Sequence, residues 1–274
     1  MLTINCKGKL IDLSIPKVMG IINLTPDSFF DGGKYSDEKK ILTRAEKMLI
    51  EGATFIDLGG YSSRPGAGHI SEKEETSRVL PALESILKHF PETLISVDTF
   101  RSKLASKAIN LGACMINDIS AGNLDSNMFN TVAALQVPYV AMHMPGSPGT
   151  MQKMTQYEDL VTDLVYFFSK KISDLRELHL NDIIIDVGFG FGKTLEQNYT
   201  LLRKLEVFKM LGVPILTGIS RKSMVYKTIK TSSEQALNGT TAANTIALLK
   251  GSNILRVHDV KEAVEAIQIT QAYV

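Results

Sequence analysis

Asp98, Asn117 and Asp186 each stand at the end of a short apolar run, and Lys222 lies just beyond another. Two carboxylates and an amide present hydrogen-bond acceptors, with one amide donor among them, and the lysine adds a cation. A buried carboxylate can take two N–H donors at once in a charge-assisted, bidentate way. Groups of this kind on separate segments suit a flat polar ligand with a row of N–H donors flanked by a ring nitrogen and a carbonyl. Ligands without that pattern are rejected, because they leave the site's own polar groups unpaired. A second set, Asn23, Arg64, Arg256 and His258, holds two permanent cations, an amide and an imidazole. Adjacent donors of that type suit a phosphate or pyrophosphate. The run Gly188 to Thr194 is Gly-rich but lacks P-loop spacing and a dinucleotide-binding context. No Ser-His-Asp or Cys-His arrangement is evident, so the residues do not point to an enzyme nucleophile.

Something must carry these side chains to one place. Eight short apolar, branched runs recur: Val18–Asn23, Phe55–Gly60, Ile95–Thr99, Met115–Ile119, Tyr139–Met144, Ile183–Gly188, Pro214–Ser220 and Ile254–Asp259. Each precedes a stretch with helical apolar spacing. Strands without polar alternation are buried on both faces, as in parallel sheets. Gly52, Gly112, Gly212 and Gly251 fall just before four of the strands, where left-handed helix caps belong. Ser71 with Glu74 reads as a capping box. The even register predicts an α/β fold, a single (β/α)8 TIM barrel spanning residues 1–274. Leu2 to Ile15 reads as an N-terminal β-hairpin closing the bottom. Chemistry in such barrels sits at the C-terminal strand ends, where all the residues above fall.

Individual strand-end residues have plainer readings. Asp57 is expected to be structural, bonded to a neighbouring backbone or loop. His143 lines the pocket or is a hydrogen-bonded core histidine; His69, His89 and His179 read as surface residues. Asn23-Leu24-Thr25-Pro26-Asp27-Ser28-Phe29-Phe30-Asp31-Gly32-Gly33 breaks from a buried strand into a polar, Gly-ended loop. With Ser62 to Gly68 it is long enough to cover the barrel mouth.

Lys and Arg number 30 against 29 acids, which argues against an electrostatic footprint for nucleic acid or membrane. The two cysteines, Cys6 and Cys114, form no metal or disulfide pattern, which fits a reducing compartment. The start MLTINCKGKL has no apolar signal core, and no run approaches the roughly 18 apolar residues of a membrane helix. A cytoplasmic location is expected.

The blocks MGIINLTPDSFFDGG, IDLGGYSSRPGA, ISVDTFRS, MINDISAG, MHMPGSPGTMQ, DVGFGFGKT, GISRKS and RVHDVKEAVEA together resemble dihydropteroate synthase, in order and over nearly the whole chain. That family joins a pterin to p-aminobenzoate in folate synthesis. The resemblance implies that Asp98, Asn117, Asp186 and Lys222 hold the pterin, with Met144, Phe191 and Gly218 shaping its slot. It implies that Asn23, Arg64, Arg256 and His258 hold the pyrophosphate with Mg2+, Asn23 serving as metal ligand. Phe29, Ser63, Pro65, Lys222 and Ser223 would border the p-aminobenzoate site. The implied reaction is a dissociative substitution, and the implied associations are a homodimer and inhibition by sulfonamides. Departures are few: Val187 stands where the family usually has Pro, Ser63 where it usually has Thr, and Tyr61 where an acid is common. A barrel taking methyl groups from methyltetrahydrofolate could share the Asp-Asn-Asp cradle but would need neither SRKS nor RVHD. A non-catalytic pterin-binding paralogue would be marked by loss of Arg256, His258 or Lys222, and none is lost.

Overall fold

A computed structural model describes residues 2–24, 34–62 and 68–273. The expected site residues Phe29, Ser63, Arg64 and Pro65, and the tips of both mouth loops, lie outside the described residues. Strands β1 (Thr3–Cys6) and β2 (Lys9–Asp12) form an antiparallel hairpin with Thr3 opposite Asp12 and Cys6 opposite Lys9. Its two-residue turn needs positive φ at both positions, and Lys7 and Gly8 adopt φ of 56° and 80°. The Asn5 side chain steadies the turn by accepting from the Gly8 N–H at 2.8 Å.

Eight further strands are β3 (Lys17–Asn23), β4 (Phe55–Gly59), β5 (Leu94–Asp98), β6 (Met115–Asp118), β7 (Tyr139–Met142), β8 (Ile183–Asp186), β9 (Ile215–Thr217) and β10 (Ile254–Val257). All pair in parallel and close into a barrel in which β10 lies between β9 and β3. Each coincides with one of the eight apolar runs, and β4, β6, β7 and β8 are buried along their whole length. Helices follow every barrel strand and form the outer layer. Gly52, Gly112, Gly212 and Gly251 sit at φ of 99°, 117°, 68° and 98°, the left-handed positions the sequence assigns them.

The Ser71 capping box forms by half. Ser71 Oγ accepts the Glu74 N–H at 3.1 Å, but the Glu74 carboxylate turns to Arg78, one helical turn on, at 2.5 Å. An ion pair at i,i+4 outcompetes the return bond. Thr194 and Gln197 form the complete box instead.

Side-chain parity in the strands decides what faces inward. At the N-terminal end, Met19, Phe55, Met115, Val140, Ile184, Leu216 and Ile254 point into the barrel and meet Ile4, Cys6, Ile11 and Leu13 of the hairpin. The hairpin is therefore the barrel's apolar floor. Two residues further along, the same parity puts Asp57, Asn117, Asp186, Gly218 and Arg256 in the next layer toward the mouth. Asp118, adjacent to Asn117, takes the opposite face. Its carboxylate accepts from Tyr139 Oη at 2.6 Å, from the Ser120 N–H and hydroxyl, and from the Gly122 N–H.

Because Ile4 is 1% exposed and anchors the hairpin to the floor, Ile4→Ala leaves a cavity far from the polar layer. The substitution is expected to lower unfolding free energy by about 2–4 kcal/mol. Urea denaturation checks this through a lower midpoint at unchanged slope.

Candidate functional site

The centre of the polar layer is a bridge across the barrel. Arg256, from β10, donates from Nε to Asp57 Oδ2 at 2.6 Å and from Nη2 to Asp98 Oδ2 at 2.7 Å. Asp57 Oδ2 also accepts from Asn117 Nδ2 at 3.1 Å. Asp57 is thus not the backbone-bonded structural residue the sequence suggests, because strand parity turns it into the barrel. The signal was available: Phe55 and Asp57 share one parity, and Asp57 lies beside Ser96 in the register of β4 on β5. Burial pushes the Asp98 carboxyl up to about 7, against the pull of Arg256, with Asp57, Glu75 and Asp118 adding negative charge.

The opposite wall is built on β8 and β9. Asp186 ends β8, is 4% exposed, and accepts the Gly188 N–H on Oδ1 at 2.8 Å. Burial raises its pKa, opposed first by Lys222. Lys222 precedes the helix Ser223–Thr228, donates to the Phe189 carbonyl at 2.6 Å and lies 4.7 Å over the Phe191 ring. Burial lowers its pKa to about 8. Between these groups Gly218 carries no side chain: a Cβ there would meet Lys222 Nζ at 3.7 Å and Asp186 Oδ2 at 3.8 Å. The glycine therefore keeps the space between Lys222 and Asp186 free of a side chain. Met144 and Phe191 pack with Phe100, Ile119, Met142, Met151 and Tyr61 as an apolar patch at the mouth. Ser223 is half-buried at the start of the helix after Lys222.

The Gly-rich segment 188–192 is held by a residue the motif reading passed over. Lys193, 5% exposed, donates to the carbonyls of Gly188 at 3.0 Å and Phe191 at 2.9 Å, and lies 3.0 Å from His143 Nδ1. Burial lowers the Lys193 pKa to about 7 and, with the Lys193 charge beside it, that of His143 to about 2. His143 also meets Phe167 edge to face with ring centres 4.9 Å apart. This settles it as a core histidine. Gly188 cannot carry a side chain, since φ is 70° and a Cβ would lie 2.0 Å from the His143 carbonyl oxygen.

Asn23 and His258 mark the corner where β3 and β10 adjoin. A Cβ on Gly59 would sit 3.8 Å from Asn23 Oδ1 and 3.6 Å from Asp98 Cβ, so the amide and the acid cluster are near neighbours. Ser220 Oγ accepts the His258 N–H at 3.1 Å and lies 3.0 Å from His258 Nδ1. Burial, followed by the Arg256 charge, lowers the His258 pKa to about 4, so the ring is neutral at pH 7. The His258 carbonyl accepts from Arg44. Arg221 forks onto Asp259 with bonds of 2.8 and 2.9 Å and tethers the Lys222 loop to the loop after β10. Arg256, grouped by sequence with the anion donors, belongs by its contacts to the acid cluster as well. The two sets share it.

At the base of the second loop, Arg101 pairs with buried Glu75 and donates to the Ile70 carbonyl at 2.5 Å. Tyr61 covers this pair, edge to face with Phe100 at 5.1 Å. Among the described residues no group of three His, Cys, Asp or Glu side chains is placed to hold a metal ion. No described helix is long and apolar enough to cross a membrane.

Residues 19–258 match the family of pterin-binding enzymes. The dihydropteroate synthase of Haemophilus influenzae is 42% identical over 267 residues, covering 97% of this chain and 96% of that one. The structure of the Yersinia pestis dihydropteroate synthase in a sulfonamide drug complex superposes with a TM-score of 0.93 at 41% identity, covering 99% of both chains. That of the Xanthomonas albilineans dihydropteroate synthase with 4-aminobenzoic acid gives 0.91 at 37% identity, over 99% of this chain and 97% of that one. Full-length similarity at this level, on a barrel whose polar layer is intact, shows that the chain belongs to the dihydropteroate synthase family of pterin-binding enzymes.

Proposed function

We propose that this chain condenses 6-hydroxymethyl-7,8-dihydropterin pyrophosphate with p-aminobenzoate, giving 7,8-dihydropteroate and pyrophosphate for folate synthesis. The observation that carries the reading is the glycine-thinned slot at Gly218, walled by Asp98, Asn117 and Asp186 on their separate strands and by Lys222. The pterin's N–H donors face the acids and the Asn117 carbonyl, and Lys222 donates to its ring nitrogen and carbonyl. Met144 and Phe191 bound its faces. The neutral His258 ring, with the Ser220 hydroxyl donating to Nδ1, keeps a proton on Nε2 for the departing pyrophosphate. Asn23, Arg64 and the remaining donors of Arg256 complete that corner.

Mg2+ fits this chemistry. It keeps few protein ligands and binds through substrate phosphates, and Asn23 offers a hard oxygen at the right corner, without a cage of side chains. Bound there, the ion would neutralise charge on the leaving pyrophosphate. The acids stabilise positive charge spread from the pterin methylene into the ring as the bond to oxygen breaks. The aniline nitrogen of p-aminobenzoate then attacks, and no enzyme nucleophile is used. Phe29, Ser63, Pro65 and Ser223 border the aminobenzoate, a place sulfonamides would also fill. The reading extends to a single domain over 1–274, a homodimer and a cytoplasmic location. Incubating the pure protein with both substrates and Mg2+ tests it: dihydropteroate and pyrophosphate should appear in equal amounts, and their absence would refute the assignment.

Three outcomes follow from the geometry. Gly218→Ala meets only ordinary contacts, so Tm should move by no more than ~2 °C, within the scale of a few tenths of a kcal/mol. Its methyl nevertheless enters the slot, and calorimetry should show pterin affinity falling at least about tenfold, or 1.4 kcal/mol.

The pH profile of kcat/KM should be a narrow bell. The acceptor role of Asp98 needs its ionised form, which is lost as pH falls through about 7. The cationic role of Lys222 is lost as pH rises through about 8. Lys222→Arg, whose charge persists, should remove the upper limb while leaving the lower one.

His258→Ala should weaken binding of the pyrophosphorylated pterin about 10- to 100-fold, the worth of a hydrogen bond to a charged group. The unphosphorylated alcohol should be nearly unaffected. Arg256→Ala should weaken both ligands, since it also leaves Asp57 and Asp98 unpaired. Parallel titrations of the two pterins check the contrast.

A further inference from the structure

We propose that Asp57 is a positioning residue that sets the amide of Asn117, so that Asn117 presents its carbonyl oxygen and not its NH2 group to the pterin. The inference rests on the pterin reading of the slot. Asp57 is fully buried in the middle of β4, two residues before Gly59 and one layer below the mouth. It holds two residues, Asn117 and Arg256, that the pterin reading places against the ligand.

An amide has two faces of nearly equal shape and opposite hydrogen-bonding character. On its own, Asn117 could offer a ligand either one. A carboxylate paired with a guanidinium is an acceptor only, and Asp57 Oδ2 already takes Arg256 Nε at 2.6 Å. Only the NH2 side of Asn117 can therefore face it, and Nδ2 lies 3.1 Å from that same oxygen. Asn117 Oδ1 then points away from Asp57. A flip would set Oδ1 against the Asp57 carboxylate and NH2 against the ligand's own N–H donors, two repulsions at once.

Neighbouring groups reinforce the choice. Asn117 is 4% exposed, so a lost partner is poorly replaced by water. Arg256 is fixed by the same oxygen, so its Nη2 falls on Asp98 Oδ2 at 2.7 Å. One buried oxygen thus orients an acceptor on β6 and a cation on β10. A plain ion pair filling the barrel would need only Arg256 and would leave the Asn117 amide indifferent.

The test uses 6-hydroxymethylpterin, which lacks the pyrophosphate, and reads its Kd by calorimetry for three proteins beside the wild type. Asp57→Leu removes the acceptor while keeping volume, so Asn117 can flip; affinity should fall at least tenfold. Asn117→Asp in the Asp57→Leu background offers an oxygen whichever way it turns, so the double variant should regain most of that loss. Asn117→Leu, with no acceptor at all, should bind as weakly as Asp57→Leu or worse. An Asp57→Leu affinity within threefold of wild type, or a double variant no better than Asp57→Leu, overturns the proposal. Should Asp57→Leu fail to fold, neutron diffraction of the wild-type protein with bound pterin decides the matter alone. Two deuterium atoms on the Asn117 atom facing Asp57 support the assignment, and two on the atom facing the pterin overturn it. Wild-type protein that does not bind the pterin overturns the pterin reading and this inference together, whereas binding that survives loss of Asp57 overturns this inference only.

Discussion

Asp57 and Asp98 stand on neighbouring strands with Arg256 between them, one carboxylate fully buried and the other largely so. Burial of like charges at this distance is strongly unfavourable, and the cost is offset only by a partner with good geometry and further hydrogen bonds. Arg256 meets Asp57 and Asp98 through separate nitrogens, and Asn117 adds a donor to Asp57. The guanidinium comes from β10 and reaches past β3 to β4 and β5, so it can do this only once the barrel has closed. Closure and site assembly are one event. The polar layer would be a liability in an open sheet, and the apolar floor beneath it supplies the stability that the layer does not.

That division of labour follows from a period of two. One residue of each strand points into the floor, the next points out to the helices, and the third points into the site. The hairpin seals the floor with Ile4, Cys6, Ile11 and Leu13, and the polar side chains begin one layer above them. Because the two layers share strands but not neighbours, the chemistry at the mouth can vary without disturbing the floor. The reverse holds for the outward face, where Asp118 spends its carboxylate on a turn and on Tyr139.

The eight strands, the barrel and the hairpin were legible because each rests on a local pattern: apolar runs, helical spacing and glycines where φ must be positive. Asp98, Asn117, Asp186 and Lys222 were legible for the same reason, as polar residues that end or follow apolar runs. What the pattern could not show is which distant partner each side chain meets. Asp57 reads as structural until Arg256, 199 positions away, is seen to pair with it. Lys193 looks like the tail of a Gly-rich motif until three carbonyls and His143 surround its ammonium. The Ser71 box fails for a subtler reason, since Glu74 had a nearer cation in Arg78.

Lys193, which is buried, and Lys222, which is half-buried, divide one task. Both contact the 188–192 segment, yet only Lys222 faces the slot, whereas Lys193 turns beneath the segment toward His143. Lys193 fixes the segment by its Gly188 and Phe191 carbonyls, which leaves the Phe189 carbonyl aimed at Lys222. Lys222, so anchored, keeps its remaining protons for Asp186 or for a ligand between them. An ammonium has three donors and no preferred plane, so it needs such an anchor to become directional. Arginine would bring its own planar geometry and would need no such anchor. The slot therefore gains direction from the protein around its lysine, just as the amide of Asn117 gains it from Asp57. In both cases a group set behind the site fixes the direction of a side chain that lines it.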